Sequence, residues 1–224
     1  MSRAIRVLIV DDDALVRAGL TMMLQGLATI EVVGEVADGS HVLSALDRYR
    51  VDVILLDLRM PKLDGMGVLD LLRSHPRPPG VIVLTTFDTD DHILPALRRG
   101  ASGFLGKESS PAEIIRAIEL VATGESMLSP AVTRRLIDHL SNGQEAEQRR
   151  AQAAARLATL SPRYRQIAEA IAEGKSNASI AAGLNLSVAT VKGHVSAILA
   201  KLALDNRVQI ALMVQDAQQP SLRQ

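Results

Sequence analysis

Ile5-Arg6-Val7-Leu8-Ile9-Val10-Asp11-Asp12-Asp13 and Val51-Asp52-Val53-Ile54-Leu55-Leu56-Asp57 decide the fold. Each is a β-rich apolar run that stops on carboxylates. Two later runs stop in the same way. Val81-Ile82-Val83-Leu84 ends at Thr85, and Phe104-Leu105-Gly106 ends at Lys107. Helical stretches separate the runs, so they read as parallel strands of an α/β sheet. Ligands of such sheets bind outside the carboxyl ends of the strands. Asp11, Asp12, Asp57, Thr85 and Lys107 therefore converge at one edge. That set suits a site where a divalent metal helps a carboxylate accept a phosphoryl group.

Working outward, five strand-then-helix units fill residues 1–122. Strands are expected near 4–10, 31–36, 53–57, 81–85 and 102–106. Helices are expected near 14–26, 40–49, 65–74, 90–99 and 111–122. Arg98-Arg99-Gly100 stops the fourth helix with cations in its last turn and then glycine. Ser110-Pro111 opens the fifth with a cap and a proline at its first position. This alternation predicts a doubly wound, five-stranded parallel sheet. An eight-unit barrel needs a longer chain.

From Thr123 to Arg156 the pattern loosens into a partly helical linker, with a short amphipathic helix from Ser129-Pro130 through Arg135 to Leu140. Residues 157–217 then read as an all-α domain of four helices. These start at Ser161-Pro162, Asn177, Ser187 and Asp205, with Ser161, Ser187 and Asp205 as caps. The second and third are joined by the tight turn Leu184-Asn185-Leu186. Helix, short turn and longer helix is the spacing of a helix-turn-helix.

Composition narrows the function classes. The chain of 224 residues holds no cysteine, which excludes disulfides and thiolate metal sites. Tryptophan is absent and aromatics are 2%, which disfavours base stacking on aromatic platforms. Met1-Ser2-Arg3 leads straight into a strand, and no apolar run approaches membrane-spanning length. A soluble cytoplasmic protein without a membrane partner is expected. Net charge is zero, but it is unevenly spread. Residues 1–122 carry 13 Lys+Arg against 17 Asp+Glu, and residues 157–224 carry 7 against 4. No acidic residue lies between Glu173 and Asp205, while Lys175, Lys192 and Lys201 do. Such a stretch is a weak sign of a phosphate-backbone partner, and a solvated helical face is the plainer reading of charge alone.

The strand-end chemistry is more specific. Asp57 and an incoming phosphoryl group repel each other, so the carboxylate becomes a useful nucleophile only when that charge is offset. Mg²⁺ accepts carboxylate, water and phosphate oxygens. Asp11 and Asp12 would hold it beside Asp57. Lys107 would serve as a point charge, and Thr85 would donate a hydrogen bond. Phosphoryl transfer needs little more than positioning and electrostatics. Singly, Asp12 or, more readily, Asp13 reads as a helix cap, Asp57 as a turn residue, Thr85 as a strand end and Lys107 as an exposed lysine. Four complementary strand ends together make chance a poor account.

These residues resemble the receiver domain of bacterial two-component response regulators. The matching motifs are Val10-Asp11-Asp12, Leu55-Leu56-Asp57-Leu58-Arg59-Met60-Pro61, Asp64-Gly65, Leu84-Thr85-Thr86 and Gly103-Phe104-Leu105-Gly106-Lys107. The resemblance implies a flavodoxin-like fold with Asp57 as phospho-acceptor. It implies Mg²⁺ on Asp11, Asp12, Asp57 and the backbone carbonyl of Arg59. Thr85 and Phe104 would be a switch pair, the hydroxyl moving to the phosphoryl oxygen and the aromatic following inward. Gly106 departs from the bulkier apolar residue usual there, and Glu108 stands where many receivers have proline.

Residues 157–216 resemble the LuxR-type helix-turn-helix of the NarL/FixJ subfamily. Leu160-Ser161, Gly174-Lys175-Ser176-Asn177, Ile180-Ala181, Leu186-Ser187, Ala189-Thr190-Val191-Lys192, His194-Val195 and Leu199-Ala200-Lys201-Leu202 carry the likeness. Tyr164 and Gln166 replace glutamates usual in the first helix, so a reciprocal capping box with Ser161 is lost. In the third helix Val191, Val195, Ile198, Leu199 and Leu202 form the apolar face, with Ala189, Gly193, Ser196 and Ala200 opposite. The expected DNA-facing set is Lys175, Ser187, Thr190, Lys192, Gly193, Ser196 and Lys201. Val208, Ala211 and Leu212 form a stripe on the last helix, the expected dimer contact. His194 borders the buried face and suits a structural role as well as a phosphate contact.

The reading is a transcription factor rather than an enzyme. A histidine kinase would phosphorylate Asp57, and the phosphorylated homodimer would bind paired half-sites on double-stranded DNA. A phosphatase with an aspartyl intermediate would want an acid two residues after the nucleophile, where this chain has Arg59. A regulator switched by a small ligand would not need the intact acid set.

Overall fold

The computed structural model describes residues 3–85, 92–128 and 145–218, the last segment with side chains from Arg150 onward. The expected amphipathic helix from Ser129 to Leu140, and Thr86 of the strand-end motif, lie outside the described residues. The chain divides into two compact units, Met1–Arg135 and Leu136–Gln224.

The first unit is built on a parallel sheet. Its strands are β1 (Ile5–Val10), β2 (Ile30–Val36), β3 (Val53–Asp57), β4 (Gly80–Thr85), β5 (Gly103–Gly106) and β6 (Met127–Leu128), in the order β2-β1-β3-β4-β5-β6. The helices between them are α1 (Ala14–Leu24), α2 (Val42–Arg48), α3 (Gly65–Leu72), α4 (Ile93–Arg98) and α5 (Pro111–Ala122). A 3-10 turn, Gly39–His41, precedes α2. Among the described residues the sheet therefore has six strands, where five are expected. Met127–Leu128 is too short to show alternation in sequence, but it pairs with Gly103 and Phe104 of β5.

Burial on both faces explains why the runs are continuously apolar rather than alternating. Val7, Ile9, Val53, Leu55, Ile82, Leu84 and Leu105 pack with Leu20 and Leu24 of α1 and with Ile114, Ala117, Ile118 and Val121 of α5. The intervening residues Leu8, Val10, Ile54, Leu56, Val83 and Phe104 point to the other face and are buried too.

Arg6, the one cation within β1, is explained by β3. Its Nε and Nη2 reach the two oxygens of Asp52 at 2.9 and 2.7 Å, and its backbone N–H donates to Oδ2 at 2.9 Å. The Arg6 side-chain bond, offset in part by burial, holds the Asp52 carboxyl below its ordinary value. A depressed carboxyl contributes stability above its unfolded pKa and loses it as pH falls through the folded value. Asp52 is partly open to water, so screening limits the effect. Asp52→Asn should cost about 1 kcal/mol at neutral pH. Thermal melts across pH should show the difference vanishing in acid, below the ordinary aspartate range.

The second unit is helical: α6 (Glu145–Ala158), α7 (Pro162–Ala172), α8 (Asn177–Leu184), α9 (Val188–Lys201) and α10 (Arg207–Gln218). Its core joins Ile167, Ala168 and Ile171 of α7 to Ile180 and Ala181 of α8. Val191, Val195 and Ile198 of α9 and Ile210, Met213 and Val214 of α10 complete it. Ala153 and Leu157 of α6 belong to this core. The segment read as linker is thus drawn in at both ends, by β6 into the sheet and by α6 into the helical core. Alanine-rich polar sequence hides the second case, because one small residue and one leucine a turn apart suffice to bury a helix edge. The cap of α10 is also shifted by one residue. Asn206, not Asp205, accepts from the Gln209 N–H at 3.1 Å, while Asp205 pairs with the Gln209 side chain. None of the described helices is long and apolar enough to cross a membrane.

Candidate functional sites

Register brings the strand-end residues together. Val10 lies opposite Leu56, so Asp11 and Asp57 leave neighbouring strands at one level. Asp57 pairs with Leu84, and Thr85 pairs with Gly106, just before Lys107. Strand order reverses between β1 and β3, where an open α/β sheet forms its crevice.

Of the five side chains expected at this edge, those of Asp11, Asp12, Asp57 and Lys107 meet. Carboxylate oxygens of Asp11, Asp12 and Asp57 lie within 4.8 Å of one another. Asp11 and Asp57 are buried and Asp12 is exposed. Lys107 Nζ lies 2.7 Å from Asp11 Oδ2 and 3.2 Å from Asp57 Oδ2. Burial, then the Asp11 charge, pushes the Asp57 carboxyl above its ordinary value, against the pull of Lys107 and the Arg59 backbone N–H. Burial alone would lower Lys107, but bonds and charges from Asp11 and Asp57 outweigh it and hold the ammonium above its ordinary value. Three hard oxygen donors crowded in this way are compatible with a divalent cation, which would relieve their repulsion.

Local structure holds these groups in place. Asp13 caps α1 by accepting from the Leu15 N–H at 2.8 Å, as expected of it. Asp11 Oδ1 accepts from the Asp13 N–H at 2.9 Å, and Arg17 Nη1 donates to the carbonyls of Asp11 and Asp12. Gly65 lets α3 begin beneath the strand end. A Cβ there would overlap the Asp57 carbonyl oxygen and lie 2.8 Å from Leu58 Cα. Thr85 is buried, and its carbonyl accepts from the Lys107 N–H at 2.8 Å. Phe104 is also buried, on β5 beside β4, where it pairs with Val83. The two departures at the end of β5 are related. The Glu108 carboxylate folds onto Gly106 and fills the space a side chain at 106 would occupy.

In the helical unit, Ser187 caps α9 by accepting from the Thr190 N–H at 3.0 Å. Asn185 takes the left-handed conformation that ends α8, with φ +52° and ψ +48°. Ser187, Ala189, Thr190, Lys192, Gly193, Ser196, Ala200 and Lys201 are exposed, while Val191, Val195, Ile198 and Leu202 are buried. Lys175 is exposed beside Glu173, 2.5 Å away. His194 stacks obliquely on Tyr164, ring centroids 5.4 Å apart, which gives it a packing role. Ser161 caps α7 through the Tyr164 N–H at 3.3 Å. The reciprocal arm seen at Ser110 and Glu113 is missing there, as the sequence requires.

The arginines of this unit carry roles that their local sequence does not mark. Arg163 Nη2 donates to the Leu184 carbonyl at 2.8 Å, and Arg207 Nη2 donates to the Lys175 carbonyl at 2.6 Å. Arg165 donates to the Leu157 carbonyl at 3.0 Å, and Arg156 bonds the Leu202 carbonyl. Each places a cation at or near the C-terminus of a different helix, where orphan carbonyls concentrate negative potential. Among the described residues, Lys175, Lys192 and Lys201 then supply the exposed lysine charge around α8 and α9. The expected dimer stripe is placed differently. Val208 and Leu212 are buried, and Ala211 is half-buried. The stripe is therefore not an open contact in this structure.

Residues 7–119 match the family described as response regulator receiver domain, and residues 158–214 match bacterial regulatory proteins, luxR family. The transcriptional regulatory protein YhcZ of Bacillus subtilis is 35% identical over 92% of this chain and 94% of its own length. The nitrate/nitrite response regulator NarL of Escherichia coli is 34% identical over 93% and 94%. The chain belongs to the two-component response regulators. Within them the paired domains and the NarL likeness put it in the NarL/FixJ subfamily. The crystal structure of the response regulator ChrA of a heme-sensing two-component system shares this architecture, at 33% identity. The likeness covers 95% of this chain and 96% of ChrA, with a TM-score of 0.53. As a response regulator with a LuxR-type domain, the chain is a phosphorylation-controlled transcriptional regulator that binds DNA.

Proposed function

We propose that Asp57 accepts a phosphoryl group from a partner histidine kinase, and that this modification brings two copies together on paired DNA half-sites. The convergence of Asp11, Asp12, Asp57 and Lys107 at one sheet edge carries this reading. Asp11, Asp12, Asp57 and the Arg59 carbonyl would hold Mg²⁺, which supplies positive charge between the nucleophile and the anionic group. Asp57, raised by burial and by Asp11, would present its carboxylate to phosphorus. Lys107 would move from pairing with Asp57 to a phosphoryl oxygen, and Thr85 would donate its hydroxyl to another. Phe104, buried on the neighbouring strand, would register the new position of Thr85. The receiver (1–122) would thus signal through the segment 123–156 to the domain at 157–217. Beyond accepting the group and slowly losing it, no enzymatic turnover is proposed. Work on DNA supports a cytoplasmic location.

On the DNA side, Ser187, Thr190, Lys192, Gly193 and Ser196 would face the major groove, where a helix-turn-helix reads base edges near the start of its second helix. Lys175 and Lys201 would meet phosphates. A single small domain buries little DNA surface, so a linked second copy gains greatly. Pairing through Val208, Ala211 and Leu212 would first require uncovering Val208 and Leu212, which makes dimerisation conditional. Light scattering with and without a beryllofluoride mimic of the phosphoryl group tests this. A monomer should become a dimer. An equal dimer in both states would mean that control lies elsewhere.

A further inference from the structure

We propose that Asp38 is a positioning residue of the phosphoryl site, bracing the loop between β3 and α3 so that Asp57 and the Arg59 backbone keep the geometry a divalent cation needs. The inference rests on the assignment of that site made above. Asp38 lies just beyond the carboxyl end of β2 and is only 6% exposed. The described carboxylates that cluster as a cation site are Asp11, Asp12 and Asp57, and Asp38 is not among them.

Its two oxygens serve two segments. Oδ1 accepts from the Ser40 N–H at 2.9 Å and the Ser40 hydroxyl at 2.5 Å, which fixes the 3-10 turn Gly39–His41. Oδ2 accepts from the Lys62 N–H at 3.2 Å, 24 residues away. The next residue closes the contact, because a Cβ on Gly39 would overlap the Leu63 carbonyl and the Val68 side chain. The turn and the loop therefore touch along backbone, with no side chain between them.

That loop carries the groups nearest Asp57. The Arg59 backbone N–H bonds the Asp57 carboxylate, and the Gly65 N–H returns to the Leu58 carbonyl at 2.9 Å. Lys62 lies midway between these fixed ends. A carboxylate that only capped the turn would need one oxygen, and Oδ1 already completes that task. The second oxygen acts on the loop. The Ser40 hydroxyl, then the N–H groups of Ser40 and Lys62, hold Asp38 below its ordinary value, so the bond to the loop is made by an anion. Losing a group that orients metal ligands without touching the metal typically costs about 10–100-fold in affinity.

The full chain tests this, with Mn²⁺ as the probe ion, its free fraction read by electron paramagnetic resonance. A parallel series follows labelling by acetyl phosphate across Mg²⁺ concentrations. Asp38→Ala should weaken Mn²⁺ binding about tenfold and raise half-saturating Mg²⁺ by a similar factor. Its labelling rate should recover toward wild type as Mg²⁺ rises, because excess ion offsets a weakened cation site. Ser40→Ala loses only the hydroxyl bond. It should lower the melting temperature yet keep Mn²⁺ affinity within about twofold. Asp38→Asn has one acceptor oxygen for two segments, and it should weaken Mn²⁺ at least about threefold even if the alanine variant does not fold. Unchanged Mn²⁺ affinity in a folded Asp38 variant overturns the inference, as does an equal loss in Ser40→Ala. A wild-type chain that takes no label at any Mg²⁺ concentration overturns the site assignment instead, a separate readout.

Discussion

Replacing Asp57 by asparagine should abolish labelling of the chain by acetyl phosphate in the presence of Mg²⁺. The amide would keep the shape of the side chain but lack the anionic nucleophile. Neither neighbouring carboxylate is poised to substitute. Asp11 is already ion-paired with Lys107 at 2.7 Å and accepts from the Asp13 N–H. Asp12 is exposed, where water competes for it. The variant should stay folded, because Asp57 is held above its ordinary value by burial and its charge is a cost to the free protein. Mass spectrometry of both proteins, with and without Mg²⁺, measures this. Unchanged labelling in the variant would move the acceptor elsewhere and undo the assignment.

The second large effect lies on α9. Lys192→Ala should weaken binding to the specific site by about 1–3 kcal/mol and relax base preference there, because Lys192 is exposed in the first turns of that helix. Lys175→Ala should weaken specific and random DNA alike and lower the salt slope by roughly one. Its absolute effect should be the smaller, since Lys175 must first leave Glu173. Ser176 caps α8, and Arg207 holds the Lys175 carbonyl, so the backbone that aims Lys175 is itself fixed. Titrations on both DNAs across a salt series separate the two roles. Equal weakening on both DNAs by Lys192→Ala would make it a phosphate contact and shift the reading face.

Short-range pattern carries most of this fold. The apolar runs, the caps Asp13, Ser110, Ser161 and Ser187, and the turn at Asn185 all follow from local chemistry. The clustering of Asp11, Asp12, Asp57 and Lys107 is equally legible, because parallel strands deliver their ends to one edge whatever the loops do. What escapes the sequence depends on partners far along the chain. Arg6 looks out of place in a strand until Asp52 is seen beside it. Arg163 and Arg207 resemble DNA-binding cations, yet they bond carbonyls 21 and 32 residues away. Asp38 before Gly39 reads as an ordinary turn, since nothing local marks Lys62 as its partner. α10 reads as amphipathic with one open stripe, and only packing reveals burial of Val208 and Leu212. β6 is two residues long, below what a period-two pattern can reveal.

The central claim is that a phosphoryl group on Asp57 controls DNA binding. Fluorescence anisotropy with labelled DNA, comparing the chain with and without Mg²⁺ and beryllofluoride, tests it most directly. Affinity for the specific site should rise at least about tenfold with the mimic, as expected when two linked domains engage paired half-sites. Asp57→Asn should show no rise. Equal affinity with and without the mimic, or an equal rise in Asp57→Asn, would contradict the account.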